Sequence, residues 1–344
     1  MLVMRPVQAN DLDQLVELAA MTSFGLTSLP KDRELLRKKI VVSQRSFAHE
    51  PDRPGGENYL FVMEDTETGT LAGTSGIMSK TGGFEPFYAY RIETDIFESA
   101  QINVRTRIRT LHLVTEHDGP SEVCSLFLRP SYRAGGNGRL LSLSRFLFMA
   151  EFPQHFDPMV IAEMRGVIDE RGHSHFWDAV GRHFFEIDFP DADYLSVVNK
   201  RFIADLMPRY PVYVNLLPPE AQAVIGQVHD RTRPALRMLE TEGFQFANMV
   251  DIFEAGPMVQ CPLREIRSVR ESIRATVTKI EPTNEAATPP LHVICNARRD
   301  YRACLGTVQP ITSETVSISE PVAKTLGVNI GDAVRYVAVR PANA

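Results

Sequence analysis

Three glycines fall within four positions of this chain, at Gly135, Gly136 and Gly138, and their flanks limit the fold more than any other feature. Before them, Ser121 to Leu128 sets Val123, Leu126 and Leu128 among small polar residues, the pattern of a strand. After them, Gly138 to Phe152 reads as a long apolar helix. Glycines let the connecting loop turn tightly, with no Cβ atoms in the way of an approaching ligand. The first N–H groups of a helix have no internal partners and point out of its N-terminus. With the helix dipole they make an anion site suited to a pyrophosphate.

The surrounding sequence supplies the other layers. Leu2 to Val7 is a short β run, followed by the N-cap candidates Asn10 and Asp11 and by Leu12, Leu15, Leu18 and Ala19 at helical spacing. Arg33 to Phe47 reads as a second helix. Tyr59 to Glu64 and Thr70 to Ile77 flank the turn residues 65–69, an antiparallel hairpin. Met159 to Met164 looks like a buried strand. Residues 166–228 are irregular but carry Phe176, Trp177, Phe184, Phe185 and Phe189, which need a core, so they read as a packed helical insertion. Pro234 to Glu240 is a helix with proline in its first turn, where a missing N–H costs little. Gly243 stops it, and Phe244 to Phe253 gives a strand. Residues 281–290 have the composition of a linker, and the rest is β-rich. The expected organisation is therefore a main domain over 1–265 and a small barrel-like subdomain over 266–344, distant from the chemistry.

Composition narrows the class. At 344 residues, with 44% apolar and 23% charged side chains, the chain is an ordinary globular protein of about two domains. A net charge of −6 does not advertise a nucleic-acid binder. Four scattered cysteines, Cys124, Cys261, Cys295 and Cys304, form no CxxC pair, so neither a disulfide framework nor a zinc site is expected. No apolar run approaches the roughly 20 residues of a membrane helix, and Asp11 and Asp13 come too early for a signal peptide. The expected location is the cytoplasm, with no membrane partner.

A P-loop would end in Gly-Lys-Ser/Thr, which is absent, and a Rossmann loop would follow the first strand. Here the loop follows about the fourth strand and reads Arg133-x-x-Gly136-x-Gly138. That resembles the coenzyme A pyrophosphate loop of the Gcn5-related N-acyltransferase superfamily. Six further blocks resemble the arginine N-succinyltransferase family: Gly25 to Pro30, Glu85 to Tyr88, Ala162 to Gly166, Phe176 to Gly181, Ala204 to Pro208 and Ile225 to His229. The resemblance covers most of 1–260. It implies an α+β fold: a Gcn5-related core with a mixed central sheet, the helical insertion, and the β-rich C-terminal subdomain.

The activity it implies is succinyl transfer from succinyl-CoA to the α-amine of L-arginine, the first step of a catabolic route. Succinyl-CoA is then a co-substrate, and no metal or tightly bound cofactor is implied. The partners are the two small molecules, within a homo-oligomer or a hetero-oligomer with a paralogous subunit. The alternative is a non-catalytic or ornithine-preferring subunit of such an assembly.

The site residues follow from the resemblance. His229 is the implied proton donor, although the family usually continues His-Pro and this chain reads His229-Asp230. Asp230 could raise the histidine's pKa, orient the ring, or only cap the helix. Leu126 is an implied acyl-CoA contact through its main chain. Arg133, Gly135, Gly136, Asn137, Gly138 and Arg139 form the implied pyrophosphate cradle. Read from the residues, Glu163 and Arg165 alternate on one strand end, face the same side, and are substrate candidates or a structural ion pair. Glu85, Tyr90 and Arg91 are further substrate candidates. Among the other histidines, His49, His155 and His292 are expected at the surface. His173, His175 and His183 are expected to pack or hydrogen-bond around Trp177, and His112 and His117 to flank a loop.

Overall fold

The strand and helix patterns at the N-terminus become β1 (Leu2–Pro6), α1 (Leu12–Ala20) and α2 (Arg33–Ala48). Asp32 starts α2 by accepting the Leu35 N–H on its carboxylate at 2.8 Å. The computed structural model describes residues 1–22, 26–83, 85–198, 200–282 and 290–341. The expected hairpin forms from β2 (Asn58–Asp65) and β3 (Thr70–Met78), with Tyr59 opposite Ile77. A second and longer hairpin, β4 (Phe87–Ser99) with β5 (Val104–Glu116), is not legible in the sequence. His112 lies within β5 rather than beside a loop. The distal half of this hairpin buries neither face, so it shows no hydrophobic alternation.

β6 (Ser121–Leu128) adds to β3, and α3 (Asn137–Glu151) follows the glycine loop. β7 (Met159–Glu163) then lies parallel to β6. The insertion is helical as expected. It contains α4 (His175–Ala179), α5 (Arg182–Phe185), α6 (Phe189–Val198) and α7 (Arg201–Leu206), then the two-residue β8 (Val212–Tyr213) and α8 (Pro219–Val224). Trp177 is fully buried, and its indole N–H donates to the Ile187 carbonyl at 2.9 Å. α9 (Arg233–Thr241), β9 (Gln245–Val250) and β10 (Pro257–Pro262) complete this part.

The remaining elements are α10 (Arg267–Arg270), β11 (Ile273–Glu281), β12 (His292–Asn296), β13 (Ala303–Gly306), β14 (Val308–Pro310), β15 (Thr315–Ser319), α11 (Glu320–Leu326) and β16 (Ala333–Ala338). Most of the linker-like stretch, residues 283–289, lies outside the described residues. It connects β11 to β12, which both pair with β16, so it does not divide two units. β13 pairs with β1 at Ala303 and Met4, and all the strands join one mixed sheet in the order 14-15-11-16-12-13-1-2-3-6-7-10-9-4-5-8.

Helices cover both faces. Leu15, Leu18, Leu36 and Ile40 of α1 and α2 pack on Leu60, Val62 and Leu71. On the other face, α3 buries Leu140, Phe146 and Phe148 against Tyr59, Phe61 and Tyr301. Each such side chain contributes about 1.5–3 kcal/mol on burial. His155 belongs to this core, not the surface: Tyr59 Oη and His155 Nδ1 are 3.2 Å apart. His292 is likewise half-buried, against Tyr336. In both places polar neighbours in sequence hide a ring that packs.

Candidate active site

β6 and β7 pair only at Ser121–Val160 and Glu122–Ile161. Beyond those two pairs the parallel strands part, and a cleft opens at their C-terminal ends. β6 is also bulged at this point: its register against β3 shifts between Thr74 and Gly76, and Ser125 adopts φ +53°. Left-handed backbone is uncommon for a non-glycine residue and needs local support. Three bonds supply it. The Ser125 N–H donates to Ser28 Oγ at 3.0 Å, Ser125 Oγ donates to the Ser28 carbonyl at 3.0 Å, and Thr74 Oγ1 donates to the Ser125 carbonyl at 2.8 Å. Leu126 follows the bulge directly, and its side chain packs on the core under α3.

The glycine loop lies at the C-terminal end of β6. Gly135 and Gly136 have φ of +62° and +87°, and Gly136 is the N-cap of α3. The N–H groups of Gly135, Gly136 and Gly138 find no acceptor among the described residues. Asn137 braces the loop, donating from Nδ2 to the Tyr132 carbonyl at 2.9 Å, and Arg133 Nε donates to the Leu128 carbonyl at 3.0 Å. Arg139 is half-buried on the first turn of α3. The C-terminal strands reach this loop instead of standing apart from it. A Cβ on Gly136 would lie 3.5 Å from Leu305 Cδ1 and 3.9 Å from Leu291 Cδ2.

His229 is anchored just past the end of β7. Its backbone N–H donates to the Arg165 carbonyl at 2.9 Å, and its Nδ1 accepts the Arg231 N–H at 3.1 Å. The second bond leaves the neutral ring with its proton on Nε2. Burial, then Arg165 and Arg231, hold its pKa below the ordinary histidine value, although Asp230 pulls the other way. The Asp230 carboxylate accepts instead from Arg233 Nε at 2.8 Å, so it does not orient the ring. A cavity of about 230 Å³ lies beside the histidine, lined by Gly226, Gln227, Val228, Leu236 and Phe246 among others.

Glu163 and Arg165 do not share an environment. β7 ends at Glu163, because the next residues are drawn tightly against 254–256; a Cβ on Gly256 would lie 2.1 Å from the Met164 carbonyl oxygen. Glu163 is open to water at the cleft but walled by protein. Desolvation, then Glu122 and Asp251, raise its pKa well above the usual carboxylate value. Burial lowers the pKa of Arg165, with Glu254 nearby opposing the shift. Glu122, Asp251 and Glu254 are also raised, each mainly by desolvation. Lys200 moderates Glu122, Glu163 and Asp251. These three further carboxylates were not foreseen. Glu122 had the clearer signal, being the one acid in a strand of small and apolar residues.

The other candidates lie elsewhere. Tyr90 is buried on β4 against Phe176, and Arg91 pairs with Glu93 at 2.8 Å. Glu85 is exposed in the loop before β4. His173, His175 and His183 line a separate cavity of about 590 Å³, where His173 Nε2 lies 2.5 Å from Asp178. Among the described residues, no cluster of His, Cys, Asp and Glu has the arrangement of a metal site.

Residues 2–268 match the family model described as arginine N-succinyltransferase beta subunit, and residues 273–338 match its C-terminal domain model. The chain belongs to the arginine N-succinyltransferase family. It is 43% identical to an arginine N-succinyltransferase of Enterobacter sp. (strain 638), over 99% of this chain and 98% of that one. It is 42% identical to one of Escherichia coli (strain 55989 / EAEC), over 98% and 97%. Among solved structures it resembles arginine/ornithine succinyltransferase subunit AI from Pseudomonas aeruginosa, with a TM-score of 0.90, 38% identity and 99% coverage of both chains. The protein is an acyltransferase, with an α+β fold built on one mixed sheet.

Proposed function

We propose that the protein transfers the succinyl group of succinyl-CoA to the α-amine of L-arginine. The observation that carries this reading is the parting of β6 from β7, with a donor-rich loop at one end and His229 and the carboxylates at the other. The free N–H groups at 135, 136 and 138, with Arg133 and Arg139, would hold the pyrophosphate of the acyl donor. The main chain at Leu126, past the bulge, would contact the acyl arm. Glu163, with Glu122 and Asp251 beside it, would receive the cationic amino acid, since a guanidinium pairs best with carboxylates.

In the reaction, the amine nitrogen bonds to the thioester carbon, the C–S bond breaks, and one proton passes from nitrogen to sulfur. His229 is the group we assign to that transfer. Its neutral ring would take the amine's proton on Nδ1, in place of the Arg231 N–H, and the charged ring so formed would give a proton to the departing thiolate. Attack is direct, with no covalent enzyme intermediate. Cys124, whose thiol burial pushes up to about 11, is a poor nucleophile for a second route.

The test is thiol release by the purified protein, crossing succinyl-CoA and acetyl-CoA with arginine, ornithine and lysine. The reading expects the succinyl-CoA and arginine pair to react fastest. No thiol release with that pair would overturn it. The reaction is expected in the cytoplasm, as the first step of an arginine-degrading route.

A further inference from the structure

Arg145 is a buried cation that the reaction assigned above does not use. It projects from the middle of α3, is 2% exposed, and forms no ion pair with a carboxylate among the described residues. A buried charge is costly unless it is paired. Its partners are neutral: Nε donates to the Ser142 carbonyl at 3.2 Å, Nη2 to Ser142 Oγ at 3.0 Å, and Nη1 to the Cys124 carbonyl at 3.5 Å. The Phe146 ring, 5.7 Å from the guanidinium carbon, adds a weak further contact. A guanidinium has five N–H donors, so two are unspent, and the one toward Cys124 is held loosely. Burial pushes its pKa down to about 10, which leaves it charged at neutral pH.

Cys124 lies two residues past Glu122, the last residue of β6 paired with β7, so the guanidinium meets β6 where the cleft opens. A second unspent donor faces the same point. Ser75 Oγ is buried and has no hydrogen-bond partner among the described residues. Ser75 opposes Phe61 of β2, whose ring packs under α3, so the serine side chain is turned toward α3 as well. Along β3 it stands between Thr74, opposite Phe127, and Gly76, opposite Cys124, and is therefore level with the bulge. The other cations near the parting have acids to serve. Lys39 and Lys200 both favour the charged form of Glu122, and Glu254 lies near Arg165.

We propose that Arg145, with the Ser75 hydroxyl, receives the free carboxylate of the succinyl group and so selects the acyl donor. This rests on the succinyl-CoA reading above. Leu126, whose main chain is assigned there to the acyl arm, is about 6–7 Å of strand from Cys124. A four-carbon acyl chain running inward along the parting spans that distance, and an acetyl group stops short of it. On binding, Arg145 exchanges its long bond to the Cys124 carbonyl for charge-assisted bonds to the carboxylate, which are the stronger kind. The buried cation then gains the counter-ion it lacks, and a donor without the carboxylate leaves it unpaired.

Butyryl-CoA tests it, because its chain matches the succinyl chain carbon for carbon but ends in a methyl group. With arginine as acceptor, kcat/KM is measured for both donors in the full-length wild type, Arg145→Met and Ser75→Ala. Circular dichroism melting checks that the variants fold. The wild type should favour succinyl-CoA. Arg145→Met should lower the succinyl-to-butyryl ratio by about 10–100-fold, and Ser75→Ala by about 2–10-fold, the worth of a charged and of an ordinary hydrogen bond. Where Arg145→Met does not fold, Ser75→Ala decides alone, and an unchanged ratio overturns the proposal. A wild type without preference for succinyl-CoA would overturn the succinyl reading, and this proposal with it. A wild type that has the preference, with folded variants that keep it, would overturn this proposal alone. So would an equal loss with both donors, which would make Arg145 only a brace for the bulge.

Discussion

The backbone N–H of His229 donates to the carbonyl oxygen of Arg165 at 2.9 Å. The residue that would move the proton is thus tied by its main chain, just past β7, to the wall of the cleft. An alanine keeps that bond. His229→Ala should therefore fold with little change in melting temperature and lose about 10²–10⁴-fold in kcat. A stable variant within about threefold of the wild-type rate, far short of that range, would remove His229 from the mechanism.

The pH profile should carry the same signature. The folded-state pKa of His229 is depressed, so the neutral ring predominates at neutral pH. The rate should rise with pH on a limb below the ordinary histidine value and then level off, and the limb should vanish in His229→Ala. Rates from about pH 5 to about pH 8 measure this, and a fall with rising pH across that range would assign the work to the charged ring.

Gly136→Val probes the loop. At φ +87° a β-branched residue is strained, by roughly 1–2 kcal/mol, while the space beside Leu305 is in ordinary contact range. The fold should survive with a modestly lowered melting temperature, and coenzyme A affinity, measured by calorimetry, should fall. Unchanged affinity in the folded variant would count against the pyrophosphate site.

Glu163→Gln separates substrate binding from stability. The folded-state pKa of Glu163 is raised, so its contribution to stability is present below the ordinary carboxylate pKa and lost as pH rises through the raised value. Glutamine mimics the neutral acid. The variant should melt higher than wild type in alkaline buffer and show no gain at acid pH. If Glu163 holds the guanidinium, KM for arginine should also rise about tenfold, the worth of one charged hydrogen bond. A raised melting temperature with an unchanged KM would leave Glu163 outside the substrate pocket.

Ser28→Ala removes the side-chain acceptor for the Ser125 N–H and loosens the bulge that precedes Leu126. About 0.5–1.5 kcal/mol of stability should go with the bond. KM for succinyl-CoA should rise while coenzyme A itself binds as before, because the pyrophosphate loop is untouched. Equal weakening of both ligands would detach the bulge from the acyl arm.

Much of this was readable from the residues. The β2–β3 hairpin has alternation and a turn, and α3 has a glycine start, so local pattern and tertiary demand agree. The long β4–β5 hairpin was hidden, because residues exposed on both faces leave no periodicity to read. His155 was misplaced because burial is decided by Tyr59 and Phe152, which its sequence neighbourhood does not describe as a whole. His229 and the loop were marked by family resemblance and by glycine chemistry. Glu122 and Asp251 were not, since their approach to Glu163 depends on where β6, β7 and β9 end in space.

The pairing of Met4 with Ala303 has a consequence for biosynthesis. Tyr301, fully buried, donates its hydroxyl proton to the Ser144 carbonyl at 2.7 Å, so the last quarter of the polypeptide finishes a core begun in the first half. While the ribosome is still translating that last quarter, the N-terminal strand keeps an open edge and α3 keeps bare aromatic rings. Contacts of such long sequence separation form late and slowly. The nascent chain is therefore open to aggregation until the residues around Tyr301 emerge, and a chaperone that shields α3 until then would raise the yield of folded enzyme.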